Sequence, residues 1–183
     1  MKKITLLFAI IAILFSCNCI SQTKINWSNI NDTQKQVKKD GKKAKMYFID
    51  CYTSWCGWCK RLDATTFQND TIARLLNKYY YPVKFDAEGT EEVTINGTTY
   101  KNNNARKGRG ATHELASNVF QVRGYPSMVI RNSDFSAITM IPGYLEAPEL
   151  QTILVYYAQG YSKKLSYEEF SKDYATKYKD SAI

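Results

Sequence analysis

At 183 residues, with 44% apolar and 23% charged residues, the chain has the composition of an ordinary globular protein, long enough for one domain with a sizeable core plus an export segment. The formal charge is +8, and the excess is modest and scattered. Its densest part, residues 101–109, holds four basic residues among Asn and Gly with no aromatic interleaving, which reads as a solvated loop and argues against a nucleic-acid partner.

Lys2 and Lys3 precede an apolar run over residues 4–15, which gives way to the small, polar stretch 16–21. That pattern reads as a secretory signal covering 1–21, with 22–183 as the mature domain. Ordinary cleavage after Ser21 is the preferred reading. Residues 14–17, Leu-Phe-Ser-Cys, also resemble a bacterial lipobox, which would anchor the chain to a membrane through Cys17. Either way the expected location is outside the cytosol, periplasmic or secreted, and no later stretch is a membrane-span candidate. Losing Lys2 and Lys3 and no acids takes the charge from +8 to +6.

Ile25 and Trp27 stand as isolated apolar residues before a short surface helix over 31–39, stopped at Gly41. The nearly continuous apolar run 44–52 (AKMYFIDCY) predicts a central strand covered on both faces. Asp50 is the exception within it, and an acid in such a place is either desolvated or functional. It lies six residues before Cys56, so that a loop could fold it beneath the stretch Trp55-Cys56-Gly57-Trp58-Cys59-Lys60.

That stretch carries the chemistry. Cys-x-x-Cys between a strand and a helical pattern over 59–67 puts Cys56 at a helix start, where unpaired N–H groups and the dipole favour an anion. A thiol of pKa about 8.5 becomes a thiolate near neutrality in that way. By itself the pattern leaves open half a zinc site or a structural disulfide. With Cys17 and Cys19 in the leader, only Cys51, Cys56 and Cys59 remain, too few for a disulfide scaffold or a four-thiolate zinc site. The close pair therefore reads as redox-active, and Cys51 as a buried strand residue.

Asn69 or Asp70 caps a helix through Ile72, Leu75, Leu76 and Tyr79, and 81–86 (YPVKFD) is the next strand. Asn96-Gly97 between 93–95 and 98–100 predicts a β-hairpin inside an insertion at about 88–111. Thr112 is expected to cap a helix through Leu115, Ala116, Val119 and Phe120, with His113 as a helix-start residue. Strands at 127–131 and 137–141 follow, antiparallel because their link is short. A helix from Pro148 to Gly160 comes next, then a last helix with Phe170, Tyr174 and Tyr178, opened by the capping box Ser166-Tyr167-Glu168-Glu169.

Trp55-Cys56-Gly57-Trp58-Cys59-Lys60 resembles the thioredoxin active-site motif, with Trp58 in place of the usual proline. Asp50 matches that family's buried acid, and Val122-Arg123-Gly124-Tyr125-Pro126-Ser127 matches its cis-proline loop. The match covers about 44–160. His113-Glu114-Leu115-Ala116, Pro142-Gly143-Tyr144 and the extra terminal helix are similar to an exported bacterial thioredoxin-like group.

The resemblance implies an α/β thioredoxin fold, with a mixed central sheet flanked by helices, an inserted hairpin and an extra C-terminal helix. It also implies a thiol–disulfide oxidoreductase acting on protein disulfides, as a reductase or isomerase, with no cofactor. Cys56 would be the exposed nucleophile, Cys59 would resolve the mixed disulfide, and Asp50 would take the Cys59 proton. Trp55, Gly57 and Trp58 would rim the site, while Tyr125 and cis Pro126 would pair with an extended substrate. The implied partners are proteins with disulfides or thiols and a redox partner that recycles the pair. The lysine that pairs with the buried acid in many thioredoxins has no clear match, since Lys84 sits two positions displaced. Two rival readings remain: a copper or zinc module using Cys56, Cys59 and His113, and a non-catalytic adaptor.

Overall fold

The computed structural model describes residues 22–105 and 109–178, and the side chains of Ala175 and Tyr178 are outside that description. The expected leader at 1–21, Arg106 and Lys107 of the basic loop, and the Tyr178 ring fall outside the described residues.

The sheet is built on β1 (Met46–Tyr52), which runs parallel to β2 (Tyr80–Asp86) and antiparallel to β5 (Ser127–Arg131). β6 (Ala137–Pro142) pairs antiparallel with β5, giving the mixed order β2-β1-β5-β6. The far edge of β2 is partly covered by the backbone of Ser28, which bridges to Val83. β3 (Val93–Ile95) and β4 (Thr98–Tyr100) form the predicted hairpin, with Asn96 and Gly97 at φ 49° and 84° as a tight turn of this kind requires.

Strand alternation divides the core in two. Phe48 of β1 faces one side, against α2 (Gly57–Ala64), α3 (Asp70–Tyr79), α4 (Ala147–Ala158) and α5 (Tyr167–Asp173), with Leu62, Ile72, Leu76, Leu154 and Phe170. Tyr47, Ile49 and Cys51 face the other, against Ile30 of α1 (Ile30–Asp40), Val93 and Ile95 of the hairpin, and Leu115. Both faces are covered, which is why β1 reads as a continuous apolar run. Trp27, isolated in the sequence, packs edge-on to Phe67 at 5.0 Å between ring centroids.

Helix ends follow local chemistry. Asn29 and Asn69 cap α1 and α3 through their side-chain oxygens, and Gly41 stops α1 at φ 55°. Ser166 and Glu169 form the predicted capping box. One expectation is corrected: Thr112 caps nothing. The following segment is a single wide turn, Leu115–Val119, and the Leu115 N–H donates to Nδ1 of the buried His113 ring at 3.0 Å. His113 therefore does the capping, and its Nε2 meets the Glu91 carbonyl at 2.8 Å, which assigns the ring proton to Nε2. Among the described residues no helix is long and apolar enough to cross a membrane.

Candidate active site

Cys56 and Cys59 form a disulfide at the start of α2, with Cα atoms 5.3 Å apart. Cys56 is the helix N-cap, and its Sγ accepts the Cys59 N–H at 3.0 Å. The amide that caps the helix is thus the one that would stabilise a Cys56 thiolate. Cys56 is not exposed as expected, retaining 4% of its surface against 2% for Cys59. The cap contact and the disulfide turn its sulfur inward. What stands exposed instead are the indoles on either side, Trp55 at 40% and Trp58 at 55%.

Beside the pair, the Tyr125–Pro126 peptide bond is cis, and the Pro126 carbonyl accepts the Gly143 N–H at 2.8 Å. Trp58, Tyr125, Pro126, Gly143 and Tyr144 line a groove of about 350 Å³. Among the described residues the Tyr125 backbone N–H and C=O have no hydrogen-bond partner. Trp55 packs edge-on to Tyr125 and Trp58 tilts against Tyr144, so the two indoles brace opposite walls of this approach.

Asp50 needs no loop to bury it: it lies within β1 at 1% exposure, on the Phe48 face that carries α2. The displaced-lysine expectation is also wrong. The parallel register sets Asp50 directly beside Lys84, on the same face, and Lys84 Nζ lies 2.6 Å from Asp50 Oδ2. Lys84 also pairs with Asp63 on α2 and sits over the rings of Trp27, Tyr52 and Phe67. Asp50 Oδ1 is buried with no partner among the described residues. Burial pushes the Asp50 carboxyl up to about 6 against the pull of Lys84, and Asp63 adds to the rise. Desolvation alone would lower Lys84, but the two carboxylates more than offset it and hold it above the ordinary lysine value. Sequence reasoning missed Lys84 and Asp63 because their roles depend on strand register, and counting offsets from the cysteines cannot supply it.

The insertion reaches the site as well. Glu88 accepts from Trp55 Nε1 at 2.8 Å and from the Gly110 N–H at 2.6 Å, and Arg109 lies over the Trp55 ring, its Cζ 3.9 Å from the centroid. Cys51, in contrast, faces the opposite core, fully buried, and burial pushes its thiol well above its ordinary range. Among the described residues no group of three or more His, Cys, Asp or Glu side chains could hold a metal ion, and both His113 nitrogens are engaged by backbone.

A cysteine pair at disulfide distance on a helix start, carried by this mixed sheet, defines a thiol–disulfide oxidoreductase site. The chain belongs to the thioredoxin-like domain family, whose model matches residues 30–158. A candidate disulphide-isomerase from Bacteroides thetaiotaomicron, solved in solution, is 25% identical and superposes with a TM-score of 0.51 over 72% of this chain and 89% of that one. The DsbH oxidoreductase is 14% identical, with a TM-score of 0.53 over 78% and 89% of the two chains. A thioredoxin-fold protein from Helicobacter pylori is 11% identical, with a TM-score of 0.53 over 78% and 92%. The human spermatogenesis-associated protein 20 is 35% identical over 60 residues, which make up 33% of this chain and 8% of that protein.

Proposed function

We propose that the protein reduces or isomerises disulfides in other proteins, with Cys56 as nucleophile and Cys59 as resolving thiol. The observation that carries this reading is the Cys56 sulfur at the α2 N-cap, accepting the Cys59 N–H beside a groove with unpaired Tyr125 backbone. In the reduced protein the Cys56 thiolate attacks a substrate disulfide, forms a mixed disulfide and expels one substrate thiolate. Cys59, deprotonated by Asp50, attacks the Cys56 sulfur, closes the Cys56–Cys59 bond and releases the second substrate thiol. Two electrons pass from the protein dithiol to the substrate, and an external dithiol partner returns them. Asp50 then loses the proton to solvent, and Lys84, cationic between Asp50 and Asp63, stabilises the carboxylate that returns.

Tyr125 and cis Pro126 hold the substrate as an added strand, and Trp55, Gly57 and Trp58 form its apolar rim. The likeness to the B. thetaiotaomicron candidate disulphide-isomerase supports the isomerase arm of this reading. The leader-like residues 1–21 support action outside the cytosol, as a periplasmic or secreted domain spanning 22–183, with Cys17 lipidation as the membrane-anchored form.

The test is trapping. Cys59→Ser should accumulate mixed disulfides with cell-envelope proteins, whereas Cys56→Ser should trap none; trapping by Cys56→Ser alone would reverse the assignment. Equilibration with glutathione buffers then gives the direction of electron flow. A potential near about −270 mV suits a reductase and one near about −120 mV an oxidant, which would overturn the reductase arm.

A further inference from the structure

We infer that the site selects cysteines flanked by acidic residues, reading them with two arginines, Arg61 and Arg109, laid over the two indoles that bracket the disulfide. The inference rests on the redox reading above and names its substrate class. Arg61 lies over both Trp58 and Tyr144, its Cζ 5.3 and 5.4 Å from the ring centroids, on the groove side of the pair. Arg109, from the insertion, lies over Trp55 on the other side. Both arginines are exposed.

A guanidinium over a ring face keeps its donors, because they lie in its own plane. The ring contacts restrain both side chains, so less freedom is lost when a carboxylate takes two of those donors. Neither arginine is in an ion pair among the described residues. The carboxylates around them are already engaged. Glu88 accepts from Trp55 and Gly110, Glu146 accepts from Tyr144, and Asp63 is paired with Lys84. An extended peptide lying along Tyr125 with its cysteine over Cys56 would therefore meet a free guanidinium on each side, and carboxylates are the groups that complement it.

The test uses the reduced full-length protein and two synthetic disulfide peptides of the same backbone, one with Glu and the other with Lys beside each cysteine. Oxidation of the protein dithiol is followed by tryptophan fluorescence, and each rate is divided by that peptide's rate with dithiothreitol to remove intrinsic reactivity. The acidic peptide should react about tenfold faster at low ionic strength and near parity at about 1 M salt, where the Debye length is about 3 Å. Arg61→Gln with Arg109→Gln should reduce the preference to within about twofold. Lys38→Gln with Lys42→Gln removes the same charge from exposed residues at the opposite end of β1 and should leave the preference intact. Equal rates for the two peptides in the unsubstituted protein would overturn the inference, as would equal loss in both double variants, which would reduce it to net-charge steering. If neither peptide oxidises the reduced protein, the redox reading itself falls and the substrate class with it.

Discussion

Asp50 is the residue on which chemistry and stability pull against each other. Below about pH 4 the carboxyl is protonated in both the folded and unfolded chain; between about 4 and 6 the unfolded chain releases the proton while the folded one keeps it. The folded state binds more protons in that window, so stability falls as pH rises through it and stays lower above it. Asp50→Asn lacks this loss. Its stability relative to the unsubstituted protein should rise by about 2 to 3 kcal/mol between pH 4 and pH 7, measured by urea unfolding of the oxidised forms. A flat difference across that range would mean Asp50 is not held protonated.

The same residue should set the pH dependence of mixed-disulfide resolution, whose rate should rise through about pH 6 as Asp50 becomes a base. Asp63→Asn removes a charge that raises the Asp50 pKa and leaves Lys84 to Asp50 alone, so the midpoint should move to lower pH. Lys84→Met should move it to higher pH. Stopped-flow rates of Cys59 attack across pH 4 to 9 check both signs. A residue that merely supports the fold would change the amplitude and leave the midpoint in place.

At the scale of elements, the insertion acts as a wall stapled to the domain. The His113 N–H donates to the Ala87 carbonyl at 2.7 Å, its ring caps Leu115 and reaches Glu91, and its edge meets Phe85. Asn102 donates to the Glu88 carbonyl, and the Glu88 side chain holds Trp55. His113→Ala would leave a buried amide and a carbonyl without side-chain partners, costing about 1 to 3 kcal/mol. We expect hydrogen exchange to accelerate first in β3 and β4 and the Trp55 fluorescence to change, with the sheet amides protected; uniform loss of protection would make His113 an ordinary core residue.

The hairpin itself was legible, because Asn96-Gly97 favours positive φ at both positions and stands between two short runs of β-branched and aromatic residues. Its purpose was not. Glu88 and Arg109 are 21 residues apart in the chain and both reach Trp55 only because the insertion returns on itself between them. The same limit explains the other omissions. Local patterns located the cysteine pair, Asp50 and the proline loop, each marked by an unusual residue in its setting. Lys84, Asp63 and Ser28 act through register and sheet order, which no window of sequence contains.

For the molecule as a whole, the open question is whether the C-terminal helix is an appendage, since the family match ends at residue 158. Packing says otherwise. Phe170 is fully buried among Tyr156, Tyr161 and Tyr174, and belongs to the same apolar core as Phe48 and as Leu62 of the helix that carries the disulfide. Gln151 donates to the Tyr174 hydroxyl at 2.9 Å, and the Tyr156 hydroxyl donates to the Leu165 carbonyl at 2.7 Å, so the last helix is also tied to α4 by polar contacts. Phe170→Ala should therefore cost about 3 to 5 kcal/mol, a large part of the total stability of a domain this size. If α5 is integral, the loss appears as a lower midpoint of one cooperative transition seen alike by circular dichroism and by the fluorescence of Trp55 and Trp58. An early, separate transition that leaves the tryptophan signal and disulfide exchange unchanged would make α5 an independent unit, and the core that supports the site would then end with α4.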